Sequence, residues 1–241
     1  MLLFNGCTFL PSRNPAANAF ISYWPPDERS TQLRLAVKDN IDMKGKVTSA
    51  GSQYLAQNGK PAKADAACLA NARQHGVKIV GKTNLSEFAI APSGVNEYFG
   101  TPKSPLSAWR KLIPGGSSCG SAVAISSGLA DVAFGTDTAG SVRVPAACCG
   151  IVGLKTTHGL IPLDGVFPVD MAHLDTVGPM GIDIAHTGLC IKDEQGVVHF
   201  MDASSAKSRM QVTLETDISK CLNWSKKLTG VMFARPLELK T

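Results

Sequence analysis

Two glycine-rich serine turns and one lysine are the residues whose types could do chemistry together: Ser117 in PGGSSCGSA, Ser141 in GTDTAGSVRVPA and Lys38 in AVKDN. Cleaving an amide by acyl transfer needs an activated nucleophile, a carrier that returns a proton to the leaving amine, and donors for the oxyanion. The run Thr138-Ala139-Gly140-Ser141 has small side chains that let successive backbone N–H groups converge on one point, which suits an oxyanion hole beside the Ser141 hydroxyl. A lysine serves as a base only when neutral, and burial or a nearby cation is what lowers its pKa. Lys38 follows LRLAV, so it emerges from an apolar strand, a placement that suits a desolvated amine. A lone lysine after a strand is more often a surface residue, and spacing alone does not establish the three as a unit.

Two further motif matches compete for the same chemistry. GVKIVGKT, residues 76–83, has the literal G-x-x-x-x-G-K-[ST] form of a phosphate-binding loop. Its middle residues, Val-Lys-Ile-Val, prefer an extended strand, and the segment before it reads as a helix rather than a strand, so the better reading is a helix stop followed by a core strand. GSSCG, residues 116–120, has the G-x-S-x-G form of a nucleophile elbow on Ser118, with Asp175 and His186 or His199 as later partners. An elbow needs an apolar strand immediately upstream, whereas SPLSAWRKLIPG is polar and carries a proline near each end.

The elements that must position these residues alternate between helix and strand, which indicates α/β architecture. Residues 33–38, LRLAVK, read as a strand entering a turn at DNID. Residues 64–75 read as a helix with Ala67, Cys68, Leu69, Ala70 and Ala72 clustered on one side, stopped by Gly76, and VKIV at 77–80 reads as a strand. Residues 93–118 are rich in Gly, Pro, Ser and Asn and read as loop. CGSAVAISSGLA, 119–130, reads as a closely packed buried helix. DVAFGTDTAGS reads as a strand and a polar turn, and VPAACCGIVGLK as a short helix and a strand. Beyond about residue 188 charge density rises and the pattern alternates, as two short strands and a polar linker would.

The bulk numbers exclude several classes. The 241 residues are 44% hydrophobic and 18% charged, as in an ordinary globular protein. The 24 basic and 19 acidic residues leave a net charge of +5 with no basic run, which indicates a solvated surface rather than a nucleic-acid footprint. Seven cysteines without a C-x-x-C pair argue against a disulfide framework or a zinc site and for buried thiols in a reducing compartment. The N-terminus MLLFNGCTFLPSR is a poor signal peptide, and no apolar run is long enough to span a membrane, so a cytoplasmic protein without membrane contact is expected.

The stretch from Pro114 to Thr157 resembles the signature region of the amidase signature family, and flanking pieces agree: LAVKDNIDMKGKVTSAGS (35–52), GKTNLSEFA (81–89) and LDGVFPVDMAHLDTVGPM (163–180). The likeness spans about residues 33–182. It implies an α/β fold with a mixed central sheet flanked by helices. It also implies a Ser–cis-Ser–Lys triad in which Ser141 is the nucleophile, Ser117 the bridging serine after a cis Gly116–Ser117 bond, and Lys38 the base. Thr138, Ala139, Gly140 and Ser141 would hold the oxyanion, Ser118 would support the site, and Asp137 and Arg143 would brace its loop. No metal or organic cofactor is implied, and the substrate would be a small-molecule amide.

Four positions depart from the family pattern. Cys119 replaces a glycine and a side chain there would crowd the loop, Ala139 replaces a common glycine, Thr156 replaces a proline, and Lys103-Ser104-Pro105 replaces Asn-Pro. Family members are considerably longer. The resemblance therefore implies an amidase core over 1–188, a divergent segment over 189–241, and a sheet incomplete at its C-terminus. A homodimer or a partner chain would complete it. The alternatives are an inactive remnant and the glutamine-hydrolysing chain of an amidotransferase, in which a glutamine would be usual where this chain has Val144.

Overall fold

Leu35, Ala36 and Val37 are an unbroken apolar run, and the strand that carries them, β2 (Arg34–Lys38), is buried on both faces. Such strands belong at the centre of parallel pairings covered by helices on each side. In the computed structural model, which describes residues 18–27, 30–106, 112–183 and the strands at 189–192, 198–203 and 212–215, β2 lies between two parallel neighbours. These are β3 (Lys78–Thr83) and β4 (Val132–Asp137). Antiparallel strands extend both sides: β1 (Phe20–Tyr23) on β3, and β6 (Thr176–Gly181) on β4, with the two-residue β5 (Val152–Gly153) outside it. The result is a mixed sheet of six strands in the order β1-β3-β2-β4-β6-β5, within an α/β fold.

Strand side chains alternate between faces, and the two cores follow that alternation. Ala36, Val80, Ala133 and Met180 pack with Ala122, Val123 and Ile125 of helix α3 (Cys119–Ser126) and with Ala146 and Cys149 of helix α4 (Arg143–Cys149). Leu35, Val37, Ile79, Phe134 and Val177 form the other core with Ile41, Met43, Ala66 and Leu69. A bulge interrupts the β2–β3 register: Leu35 pairs with Ile79, but Ala36 pairs with Gly81 and Val37 with Lys82. The extra residue brings Lys82, rather than Gly81, beside Val37 on the Ile41 side of the sheet.

Several sequence-based boundaries shift. The segment expected as one helix over 64–75 is a 3-10 turn, Ala67–Leu69, followed by helix α2 (Ala70–Gln74). Ala66 and Ala67 donate instead to the carbonyls of Asp42 and Asp164, so tertiary hydrogen bonds replace the first helical turn. Of the apolar residues expected on its buried side, Cys68 and Leu69 are buried and Ala67 and Ala70 are exposed. Gly76 has φ +66, the left-handed stop the sequence indicated. α3 ends at Ser126 rather than continuing to 130, because Gly128 adopts φ +70. A short helix α1 (Gln53–Asn58) follows the turn after β2.

Strands β1 and β6 have no counterpart in the sequence reading. β6 reads TVGPMG, and its Pro179 and two glycines hide a strand whose six residues are all buried. Among the described residues after 188 there are three antiparallel strands rather than two: β7 (Leu189–Lys192), β8 (Val198–Ala203) and β9 (Val212–Glu215).

Candidate functional site

Lys38 closes β2 and is fully buried, and its amine lies 2.7 Å from Ser117 Oγ, 2.8 Å from Thr136 Oγ1 and 3.4 Å from the Thr136 carbonyl. None of these neighbours carries a charge. Burial therefore dominates and pulls the Lys38 pKa down to about 7, against the weaker opposing pull of Cys119, Asp137 and Asp175. The Cys119 thiol is itself pushed up to about 12 by burial.

Ser117 and Ser118 form the approach to α3. Ser117 is fully buried and the Gly116–Ser117 peptide bond is cis, as the resemblance implied. Ser118 donates its N–H to the Ser141 carbonyl at 3.0 Å, which ties the two serine turns together, and its hydroxyl lies 3.4 Å from the Thr136 carbonyl. Gly135 makes that approach feasible, since a Cβ there would stand 2.7 Å from Ser118 Oγ. Ser141 is partly exposed, so the three residues run from the interior at Lys38 and Ser117 outward to Ser141.

Asp137, at the end of β4, organises the Ser141 turn. Its buried carboxylate accepts N–H bonds from Gly140 at 2.7 Å, Val142 at 3.1 Å and Arg143 at 3.4 Å. It also takes a two-pronged contact from the Arg143 guanidinium, with both nitrogens at 3.0 Å. Burial alone would raise this carboxyl, but the Arg143 contact and the Val142 and Gly140 N–H groups outweigh it and hold the group at about 2. Gly140 has φ +134, a conformation that favours glycine.

The Gly140 N–H is thus committed to Asp137, which corrects the expectation that all four residues of the turn would serve an oxyanion. The N–H groups of Thr138, Ala139 and Ser141 have no acceptor among the described residues. The Thr138 hydroxyl donates to Asp175, which also accepts the N–H groups of Val169 and Asp170.

The fold accommodates the Cys119 side chain opposite a glycine. Cys119 is buried as the first residue of α3 beside Gly94, where an added Cβ would come within 2.8 Å of the Cys119 Cβ. The elbow reading of GSSCG fails on its upstream side, because residues 112–115 form no strand. Asp175 is engaged by Thr138, and the His186 and His199 side chains lie outside the described residues. The phosphate-loop reading of 76–83 fails too, because Lys78–Thr83 is a strand and Lys82 is buried against Asp39 at 3.0 Å. Cys68, Cys119 and Cys149 are buried and Cys148 is exposed. Among the described residues no group of three His, Cys, Asp or Glu side chains is placed to hold a metal, and no helix is long and apolar enough to cross a membrane.

Sequence reasoning passed over Thr136 and Asn40, both buried. Thr136 Oγ1 sits between Lys38 Nζ and the Asn40 carboxamide, 2.9 Å away. Thr136 adjoins Asp137 and Asn40 lies two residues after Lys38, and that proximity to residues the sequence did single out was the available signal.

Residues 33–220 match the family model described as amidase, a match that runs beyond residue 188. Amidase 1 of Oryza sativa subsp. japonica is 39% identical over 191 residues, covering 79% of this chain and 42% of that protein. The A chain of the glutamyl-tRNA(Gln) amidotransferase of Halobacterium salinarum is 45% identical over 146 residues, covering 61% of this chain and 33% of that one. Among solved structures, the peptide amidase of Stenotrophomonas maltophilia superposes with a TM-score of 0.63 at 37% identity, over 72% of this chain and 39% of its own. The corresponding glutamyl-tRNA(Gln) amidotransferase chain of Thermotoga maritima superposes with a TM-score of 0.64 at 35% identity, over 72% and 38%. The chain spans 33–42% of the length of these four relatives.

Proposed function

Because the chain belongs to the amidase family, whose model it matches over residues 33–220, we propose that it hydrolyses a carbon–nitrogen amide bond through an acyl-enzyme on Ser141. The observation that carries this reading is the Lys38 amine: fully buried, 2.7 Å from Ser117 Oγ, and hydrogen-bonded to no carboxylate among the described residues. An amine in that setting keeps a lone pair near neutral pH and can accept a proton.

In the reaction, the Lys38 lone pair takes the Ser117 proton while Ser117 Oγ takes the Ser141 proton. Ser141 Oγ adds to the amide carbonyl, and the N–H groups of Thr138, Ala139 and Ser141 receive the oxyanion. Collapse breaks the C–N bond, and the proton held on Lys38 returns through Ser117 to the departing amine. Water then adds to the Ser141 ester by the same relay, releases the carboxylic acid and restores the serine. Ser118, Asp137 and Arg143 hold the two turns in register and exchange no proton. The substrate is a small amide, and the relay asks for no metal or organic cofactor.

A second reading has support in the 45% identity to the amidotransferase chain: hydrolysis of glutamine with transfer of ammonia to a partner chain. Val144, where such chains tend to carry a glutamine, favours the simple amidase. The test is labelling of the folded chain by a fluorophosphonate, with the modified peptide located by mass spectrometry. Labelling on Ser141 that disappears in Ser141→Ala supports the acyl-enzyme reading. Labelling elsewhere, or none in a cooperatively folded chain, overturns it and leaves an inactive member of the family. Turnover of glutamine alone among simple amides, dependent on a copurifying chain, would favour the second reading.

A further inference from the structure

A neutral amine has two N–H donors and one lone pair, and the Lys38 amine has three oxygen neighbours: Ser117 Oγ, Thr136 Oγ1 and the Thr136 carbonyl. The carbonyl can only accept. The remaining N–H and the lone pair are therefore shared between the two hydroxyls, and there are two ways to share them. If Thr136 donates its hydroxyl proton to Lys38, the lone pair is occupied, Lys38 donates to Ser117, and no proton can leave Ser117. If Thr136 accepts from Lys38, the lone pair faces Ser117.

Asn40 decides between the two. Its carboxamide lies 2.9 Å from Thr136 Oγ1 through the nitrogen, while its oxygen is a buried polar atom with no hydrogen-bond partner and the residue is 1% exposed. With the nitrogen towards Thr136, the threonine oxygen accepts from Asn40, and among the described residues only Lys38 is left in reach to take the threonine's own proton. Turning the carboxamide by 180° exchanges two atoms of nearly equal size and moves the unpartnered oxygen onto the Thr136 hydroxyl. Thr136 then donates to Asn40 and accepts from Lys38, and both of its hydroxyl functions are satisfied.

We propose that Asn40 and Thr136 are positioning residues that fix the direction of the proton relay. The Asn40 carboxamide oxygen accepts the Thr136 hydroxyl proton, Thr136 Oγ1 accepts an N–H of Lys38, and the Lys38 lone pair is turned to Ser117. Donation then runs one way, from Ser141 through Ser117, Lys38 and Thr136 to Asn40. The proposal deepens the amidase reading and rests on the roles given there to Lys38, Ser117 and Ser141. The other ionisable groups around Lys38 are Cys119 of α3, Asp137 of β4 and Asp175 ahead of β6, and the variants below leave all three in place.

Thr136→Val removes the hydroxyl and keeps the shape, Thr136→Ser keeps the hydroxyl, and Asn40→Ala removes the terminal acceptor. Thermal unfolding of each checks that it folds. In the 241-residue chain, the plateau rate of fluorophosphonate labelling at Ser141 is expected to fall about 10- to 100-fold in Thr136→Val and in Asn40→Ala, and Thr136→Ser restores it. Asn40→Ala added to Thr136→Val lowers the rate by less than about twofold further, because Asn40 acts through Thr136. Additive losses, or a Thr136→Ser variant as slow as Thr136→Val, overturn the proposal, since both mark packing rather than hydrogen-bond direction.

A chain that no fluorophosphonate labels sinks the amidase reading, and the positioning role is then read directly. With carbon-13 at lysine Cε, the Lys38 resonance, assigned by its loss in Lys38→Met, is titrated by NMR. The Thr136 hydroxyl accepts more strongly from an ammonium than from an amine, so Thr136→Val moves the Lys38 midpoint to lower pH and Thr136→Ser leaves it in place. An unmoved midpoint in Thr136→Val overturns the proposal.

Discussion

Two fully buried lysines lie on neighbouring strands of one sheet, and their surroundings differ in charge. Lys82 of β3 meets a carboxylate: Asp39 at 3.0 Å, with the Ile41 carbonyl at 2.5 Å and the Thr48 hydroxyl at 3.4 Å. Asp39 in turn accepts the Ser49 hydroxyl and, at 3.0 Å, the Ser49 N–H. This is an ion pair with its hydrogen bonds satisfied, the condition under which a charge can stay buried. Among the described residues Lys38 of β2 is hydrogen-bonded only to neutral oxygens, and burial takes its pKa to about 7. Burial is common to both lysines, and the bonded carboxylate is what separates them: Lys82 has Asp39, and Lys38 has none among the described residues.

Replacing each lysine by methionine should separate the two most widely. Lys38→Met should slow labelling of Ser141 by about 10²- to 10⁴-fold, the range for loss of a positioned base, whereas Lys82→Met should change the plateau rate far less. Equal losses of rate in the two variants would erase the distinction.

Stability should separate the two as well. Lys82→Met strands a buried carboxylate and is expected to destabilise by about 3–5 kcal/mol in denaturant unfolding. Replacing Asp39 by Asn in the same chain should recover part of that loss. Lys38→Met removes a buried amine whose folded pKa, about 7, lies below the unfolded value of about 10.4. Between those values the unfolded state binds more protons than the folded one, so stability of the wild-type chain rises with pH across that window. The penalty is full below pH ~7, so there the stability of Lys38→Met relative to wild type should be highest, set against the three hydrogen bonds that methionine cannot make. That relative stability should fall as pH approaches ~10. A stability difference between Lys38→Met and wild type that stays constant from pH ~7 to ~10 would mean that Lys38 is not a desolvated amine.

The smallest effect belongs to an exposed pair. Arg73 contacts Asp65 at 2.9 Å with side chains 45% and 26% exposed. Solvent screening limits such a pair, and Arg73→Ala should shift stability by no more than about 1 kcal/mol. A loss as large as that of Lys82→Met would mean that burial is not what separates the strong pair from the weak one.

The sequence made the turns legible and much of their support illegible. PGGSSCGSA and GTDTAGS announce themselves through small residues with few other uses, and LRLAVK announces a buried strand. Thr136 and Asn40 carry side chains common in any loop, and their contact joins β4 to the turn after β2, which no spacing encodes. The difference between the lysines is equally hidden, because the bulge that sets Lys82 beside Val37 breaks the simple alternation of KIVGKT. β6 escaped because Gly178, Pro179 and Gly181 contradict strand preference, and burial between β4 and β5 overrides that preference.

If a neutral Lys38 draws the proton that activates Ser141, the pH dependence of Ser141 labelling reads that step more directly than any other quantity. The labelling rate should climb as pH rises through about 7, where Lys38 loses its proton, and then level off. In Lys38→Met the rise should vanish and leave a low, flat rate. A wild-type rate that is flat from acid to alkaline pH, or a rise that survives in Lys38→Met, would show that some other group activates the serine.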